Sequence, residues 1–329
     1  MAWPGLLRAM LRRLSGRPSG AGSEEKAAAD PLTRVSALWA DRAAESGDCP
    51  ALPGVWTSHP VVRAAMNRRI SGRGDVEWLA WAKQAFLPEP VGRALSLGCG
   101  GGQVEREAIT LGLCREIEGV DVSGGAIEVA RRRAEEAGLG GISYRVADLN
   151  SILLPAARYD LVIVKQALHH IQALEHVLDQ VKGSLRPGGW FLLNEYIGPS
   201  RFQWTDLQLE IMNQLLACLP ERLRRVGEAV RERLERATPE QIGAHDPSEA
   251  VCSAEIVPLV EARFEVVARR DFGGTLLNPM LEGVITNFDV ADENDAAMLR
   301  LLIAFEDILL ERGVLTSDFA VLVVRPRVS

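Results

Sequence analysis

The stretch Ala94-Leu95-Ser96-Leu97-Gly98-Cys99-Gly100-Gly101-Gly102 constrains this chain more than any other part of it. An apolar run that ends abruptly in glycines reads as a strand entering a tight turn, with a helix opening near Gln103. Glycine serves there because a residue without Cβ takes positive φ freely and lets the backbone approach a ligand beside the positive end of the next helix. Such a turn belongs to open sheets with crossover helices, whose ligands sit at the carboxyl ends of the strands.

The rest of the sequence keeps to that frame. Short apolar runs at 94–97, 117–120, 142–146, 159–164 and 190–193 are each separated by enough residues for a crossover helix, and 264–268 and 319–324 add two more strands. Short, mainly apolar runs alternating with amphipathic segments mark a parallel sheet covered on both faces by helices. The expected fold is α/β: a doubly wound, mostly parallel seven-stranded sheet with helices on both faces. Ile127, Val129, Ala130 and Ala134 recur near helical spacing before Gly138. Helical stretches are also expected at 202–219 and 221–237, joined at Pro220, the second laced with Glu and Arg as a solvated face. A further helix is expected over 293–311, and His245-Asp246-Pro247 reads as a loop into a helix capped near Ser248. The domain reading is a flexible or amphipathic segment over 1–30, a helical cap over 31–92 containing Trp39, Trp56, Trp78 and Trp81, and the sheet domain over 93–329. Insertions at about 198–245 and about 271–318 complete the cap.

A formal net charge of -7 argues against a nucleic-acid partner, since such domains are usually basic. The five cysteines are scattered without a C-x-x-C pair, which fits a reducing cytoplasm. No apolar run reaches the roughly 18 to 20 residues of a membrane span. Residues 1–17 place Trp3, Leu6, Leu7, Met10, Leu11 and Leu14 on one helical face among arginines. A short helix packed on the body is the first reading of that segment, and peripheral membrane contact the second.

Spacing beyond the glycine turn selects a nucleoside. The second strand ends in Gly119-Val120-Asp121-Val122-Ser123, which puts a carboxylate about 20 residues on, where it can accept from both ribose hydroxyls. The third ends at Ala147-Asp148-Leu149-Asn150, a polar side chain for the adenine amino group beside an apolar one for the ring. A nicotinamide dinucleotide fits less well, because its third glycine would fall at Gln103.

Together, Gly98 to Gly102, Asp121, Asp148, the segment 159–170 and Leu185-Arg186-Pro187-Gly188-Gly189 resemble the ordered motifs of the Rossmann-like (class I) S-adenosylmethionine-dependent methyltransferases, over roughly residues 90–197. The resemblance implies S-adenosyl-L-methionine as cofactor. It implies that Gly98, Gly100 and Gly102 shape the pocket for the methionine moiety, that Asp121 with Val122 holds the ribose, that Asp148 and Leu149 meet the adenine, and that Gln166 lies near the cofactor. Two departures stand out. Ser96 occupies the place of the family's usual acidic residue, with Glu105 expected to take over its polar role, and a long insertion precedes the last strand in place of a short hairpin.

Methyl transfer is an in-line displacement at a sulfonium, so the enzyme chiefly aligns and desolvates an acceptor. A base is needed only where a hydroxyl or ammonium must lose a proton. His169 and His170 follow the fourth strand at the ligand edge, and Glu195, Tyr196 and Arg201 follow the fifth. His169 is the candidate base and His170 the more structural of the two. Glu195 is expected to pair with His169 or orient a hydroxyl, Tyr196 to stack on or bond the acceptor, and Arg201 to clamp an anionic group. The alternative pairs Arg201 and Glu195 with cap residues and uses Trp204 to anchor the cap. No metal is assigned, although His169, His170 and Glu195 are ligand types that occur together. The expected function is methylation, at oxygen or nitrogen, of a small or medium-sized acceptor such as a natural-product or sugar intermediate. The alternatives are non-methyl chemistry on the same cofactor and a non-catalytic cofactor-binding protein.

Overall fold

A computed structural model describes residues 31–45 and 54–327; the amphipathic segment expected within 1–30 lies outside the described residues. Seven strands form one sheet: β1 (Val91–Leu97), β2 (Cys114–Asp121), β3 (Ile142–Val146), β4 (Tyr159–Lys165), β5 (Leu185–Tyr196), β6 (Phe264–Gly273) and β7 (Phe319–Pro326). Their spatial order is β3-β2-β1-β4-β5-β7-β6. β1 to β5 pair in parallel, while β7 runs antiparallel to both β5 and β6. The order reverses between β1 and β4, which is where an open α/β sheet leaves a crevice for a ligand.

Successive residues of the central strands face opposite layers. Ala94, Leu161, Ile163, Leu192 and Val321 join the core on one side, with Leu95, Leu97, Val162, Val164 and Leu193 on the other. Each such aliphatic side chain taken fully from water is worth about 1.5–3 kcal/mol, so both faces must be covered. Helix α3 (Trp78–Phe86) covers the first face through Trp78, Leu79 and Ala82, and α6 (Leu174–Ser184) covers the second through Val177, Leu178 and Val181. Helix α4 (Gln103–Thr110) follows the glycine turn, and α5 (Gly124–Glu136) is capped by the Ser123 hydroxyl, which accepts from the Ala126 amide at 3.3 Å.

The N-terminal helical region divides. Helix α1 (Pro31–Glu45) lies along α5, with the Ser123 hydroxyl donating to the Ser36 carbonyl at 2.7 Å. Helix α2 (Pro60–Ser71) packs on β6 and on the long helix Glu293–Glu311. The long helix over 293–311 therefore forms where the sequence predicts it.

The helix expected over 221–237 does not form. After α7 (Asp206–Cys218) the chain makes a single turn at Glu221–Arg224, a two-residue hairpin between Arg225–Val226 and Ala229–Val230, and then irregular backbone. The reason is tertiary. Arg231 is buried and donates to the carbonyls of Met280 and Glu282 at 2.9 and 2.8 Å, and Arg222 pairs with the buried carboxylate of Asp295. The helix expected to be capped near Ser248 is also absent. After α8 (Pro239–His245), Asp246 Oδ1 accepts from the Ser248 amide and hydroxyl and closes a turn instead.

Candidate active site

At the crevice lies a cavity of about 390 Å³, bounded by the glycine turn, the ends of β2, β3 and β4, and α1 as a roof. Gly98 and Gly100 line it with φ of 69° and 50°, a region in which only glycine is unstrained. Gly98 also has no room for a side chain, since a Cβ would stand 2.3 Å from that of Ala167. Gly102 sits behind the wall as the N-cap of α4, where a Cβ would meet Tyr144 and Ala130; its part is to let helix and strand approach.

Asp121 is buried at the end of β2 and also lines the cavity, with Val122 beside it. Its oxygens accept from the amides of Gly100 and Ser123, both at 2.9 Å, so the carboxylate is fixed in orientation. Burial raises its pKa against the pull of those amides. Asp148 and Leu149 line the cavity from the end of β3, Asp148 being held by the amide of Asn150 at 2.9 Å. Glu105 is wholly buried beneath the turn, where burial pushes its carboxyl up to about 7 and Ser96 beside it pulls the other way. The roof contributes Leu32, Val35 and Trp39, whose ring meets that of His170 edge-on at 4.9 Å.

A second cavity of about 120 Å³ adjoins the first, and Lys165 and Gln166 line both. Gln166 stands at the junction with φ 54° and its amide nitrogen 3.2 Å from Asn194 Oδ1. The second cavity is walled by Trp56, Trp78, Tyr196, Phe202, Phe272 and Phe319. Its polar lining includes His169, Glu249 and Glu282. Burial pushes the carboxyls of Glu249 and Glu282 up to about 7. One oxygen of each lacks a hydrogen-bond partner among the described residues.

His169 is held from behind. Its Nδ1 lies 2.8 Å from Glu195 Oε2, while Glu195 Oε1 accepts from the amides of Ala167 and Leu168 at 2.6 and 2.7 Å. Burial raises the Glu195 pKa to about 7 and those amides oppose the rise; three converging donors select the carboxylate. Burial also drives the His169 pKa well below its ordinary value, so the ring is neutral. The hydrogen-bond network then assigns the proton to Nδ1 and leaves Nε2 as the acceptor, 3.8 Å from Glu249 Oε1.

The remaining candidates divide. The Tyr196 ring faces the second cavity and its hydroxyl donates to the Pro199 carbonyl at 3.0 Å. Arg201 lines neither cavity, contrary to the expected anion clamp: its guanidinium donates to the carbonyls of Glu249 and Pro247 at 2.9 and 2.8 Å and is consumed in shaping that loop. His170 Nδ1 meets the Ser248 hydroxyl at 3.1 Å. Sequence reasoning missed Lys165, Glu249 and Glu282. Lys165 could have been found as the polar end of β4, but no local pattern marks the two glutamates, which reach the cavity through distant loops.

Fold and pocket together describe a doubly wound α/β protein whose glycine-lined chamber at the strand ends adjoins a second, aromatic-walled one. Residues 95–193 match the model of a methyltransferase domain family. A ubiquinone biosynthesis O-methyltransferase from Methylocella silvestris is 29% identical over 182 residues, covering 55% of this chain and 66% of that protein. A 27-O-demethylrifamycin SV methyltransferase from Amycolatopsis mediterranei is 31% identical over 116 residues, 34% of this chain and 42% of the relative. The chain thus spans less than two thirds of either. The geranyl diphosphate C-methyltransferase of Streptomyces coelicolor A3(2) superposes with a TM-score of 0.55 over 91% of this chain and 99% of that one, at 13% identity, a likeness of fold alone. The resemblance to the Rossmann-like S-adenosylmethionine-dependent methyltransferases thus rests on the sheet region, residues 95–193, of this chain. Among the described residues no helix is long and apolar enough to cross a membrane.

Proposed function

We propose that the chain transfers the methyl group of S-adenosylmethionine to a hydroxyl of a small, flat, largely apolar acceptor. The observation that carries this reading is the meeting of the two cavities at Lys165 and Gln166, which puts an acceptor chamber directly beside the cofactor chamber. In the first chamber Asp121 takes the ribose, Asp148 and Leu149 the adenine, and the turn at Gly98 and Gly100 the methionine portion. The aromatic walls of the second exclude water from the acceptor, and alignment of its oxygen with the sulfonium methyl supplies most of the acceleration. Glu249 and Glu282 call for donors, which selects acceptors bearing hydroxyl groups. The hydroxyl's proton leaves at the wall where Glu195 holds His169, and the transferred methyl turns the cofactor into S-adenosylhomocysteine. Tyr196 stacks on the acceptor; His170 and Arg201 hold the wall.

Mass spectrometry of reactions with S-adenosylmethionine and a panel of phenols and hydroxylated polycycles tests this. S-adenosylhomocysteine formed in equal amount with methylated acceptor is the expected result. Methylthioadenosine in its place would mean side-chain chemistry on the cofactor, and binding without turnover across the panel would favour a non-catalytic protein.

A further inference from the structure

The partition between the two cavities holds three side chains with unfinished bonding. His169 and Glu249 line the acceptor chamber, His170 lines the cofactor chamber, and each of the three offers a ligand atom, all within 4.8 Å of one another. Glu195 occupies His169 Nδ1, so that ring's free nitrogen is Nε2. The Ser248 hydroxyl gives its proton to Asp246 Oδ1 at 2.7 Å and so accepts from His170 Nδ1, which leaves His170 Nε2 as a bare lone pair. That Nε2 and Glu249 Oε2 are buried with no partner among the described residues. A buried polar atom left unsatisfied is destabilising, and two stand together here.

We propose that His169, His170 and Glu249 form a site for one divalent transition-metal ion set in this partition. Each imidazole turns its other nitrogen to an outer partner backed by a carboxylate, Glu195 behind His169 and Asp246 through Ser248 behind His170, as is usual for metal-bound histidines. Two nitrogens and one carboxylate suit zinc, cobalt, manganese or ferrous iron, whereas magnesium and calcium prefer oxygen throughout. Glu195, the carboxylate singled out from the sequence as a ligand type, is committed on both oxygens and serves as the outer partner. Three protein ligands leave coordination positions open toward the acceptor chamber, where the ion would fix an acceptor oxygen beside the cofactor and, by lowering that hydroxyl's pKa, would replace His169 Nε2 as the means of its deprotonation. That role rests on the methyltransferase reading; the binding of the ion does not.

The test is titration of the full chain, freed of metal by a chelator, with cobalt(II) chloride under visible absorption. One equivalent bound, with ligand-field bands and no near-ultraviolet sulfur-to-cobalt band, is the expected result, and zinc chloride should displace it. Glu249→Gln and His170→Gln should abolish the bands, and Glu195→Gln should weaken uptake about 10- to 100-fold. Absence of stoichiometric uptake by the wild type, a sulfur band placing the ion on cysteine, or uptake surviving in both ligand variants would overturn the proposal. The first two readouts need no variant to fold. S-adenosylmethionine binding by the metal-free protein, measured alongside, keeps a failure of the cofactor reading apart from a failure of this one.

Discussion

Replacing Glu105 by Gln should remove a specific part of the pH dependence of folding. Glu105 is wholly buried, and its carboxyl is pushed from an ordinary 4.5 to about 7. Between those values the folded chain keeps a proton that the unfolded chain has released, so stability falls as pH rises through the window. At about 1.4 kcal/mol per pKa unit, the rise corresponds to about 3 kcal/mol, present below pH 4.5 and lost once pH exceeds about 7. Glutamine keeps the volume and cannot ionise. Several other buried acids share the slope, Glu282 and Asp318 among them, so the informative quantity is the wild-type stability minus that of Glu105→Gln. Urea unfolding followed by circular dichroism at pH 5 and pH 8.5 measures it. The variant should gain about 2–3 kcal/mol on the wild type between the two, since part of the stabilisation is already lost at pH 5. A difference that does not change with pH, or that favours the wild type more at pH 8.5, would refute the placement of a protonated carboxyl beneath the glycine turn.

Other outcomes follow from the same geometry. Gly98→Ala places a Cβ 2.3 Å from that of Ala167 at positive φ; it should cost about 1–3 kcal/mol and abolish S-adenosylmethionine binding by calorimetry. Glu195→Gln removes the acceptor that orients His169, and kcat should fall at least about 100-fold while cofactor affinity stays unchanged. Trp39→Ala strips the roof of the ring packed against His170, and the cofactor should dissociate faster, weakening binding about tenfold, equivalent to about 1.4 kcal/mol.

The sheet was legible because strands covered on both faces are predominantly apolar, as 94–97 and 159–164 are apart from Ser96 and Asp160, and helix-length amphipathic segments separate them. The lining of the chamber proposed for the cofactor was legible for a related reason: Gly98, Gly100, Asp121 and Asp148 all sit within a few residues of strand ends. The acceptor side was not, because its walls come from pieces remote in sequence. The Trp56 amide donates to Glu282 Oε2 at 2.9 Å, and Glu249 is delivered by a loop tied to Arg201. The same long-range bonding misled the reading of 221–237, where Arg231 is buried and donates to carbonyls near residue 280. Arg201 shows the converse error, a charge taken for a ligand clamp that the backbone had already claimed.

The central claim is that the chamber at the ends of β1, β2 and β3 holds S-adenosylmethionine. Calorimetric titration of the wild type and Asp121→Ala with S-adenosylmethionine and S-adenosylhomocysteine tests it most directly. Saturable one-to-one binding of both by the wild type, lost in the variant, is the predicted result; no binding by the wild type, or binding of a nicotinamide dinucleotide in their place, would contradict it.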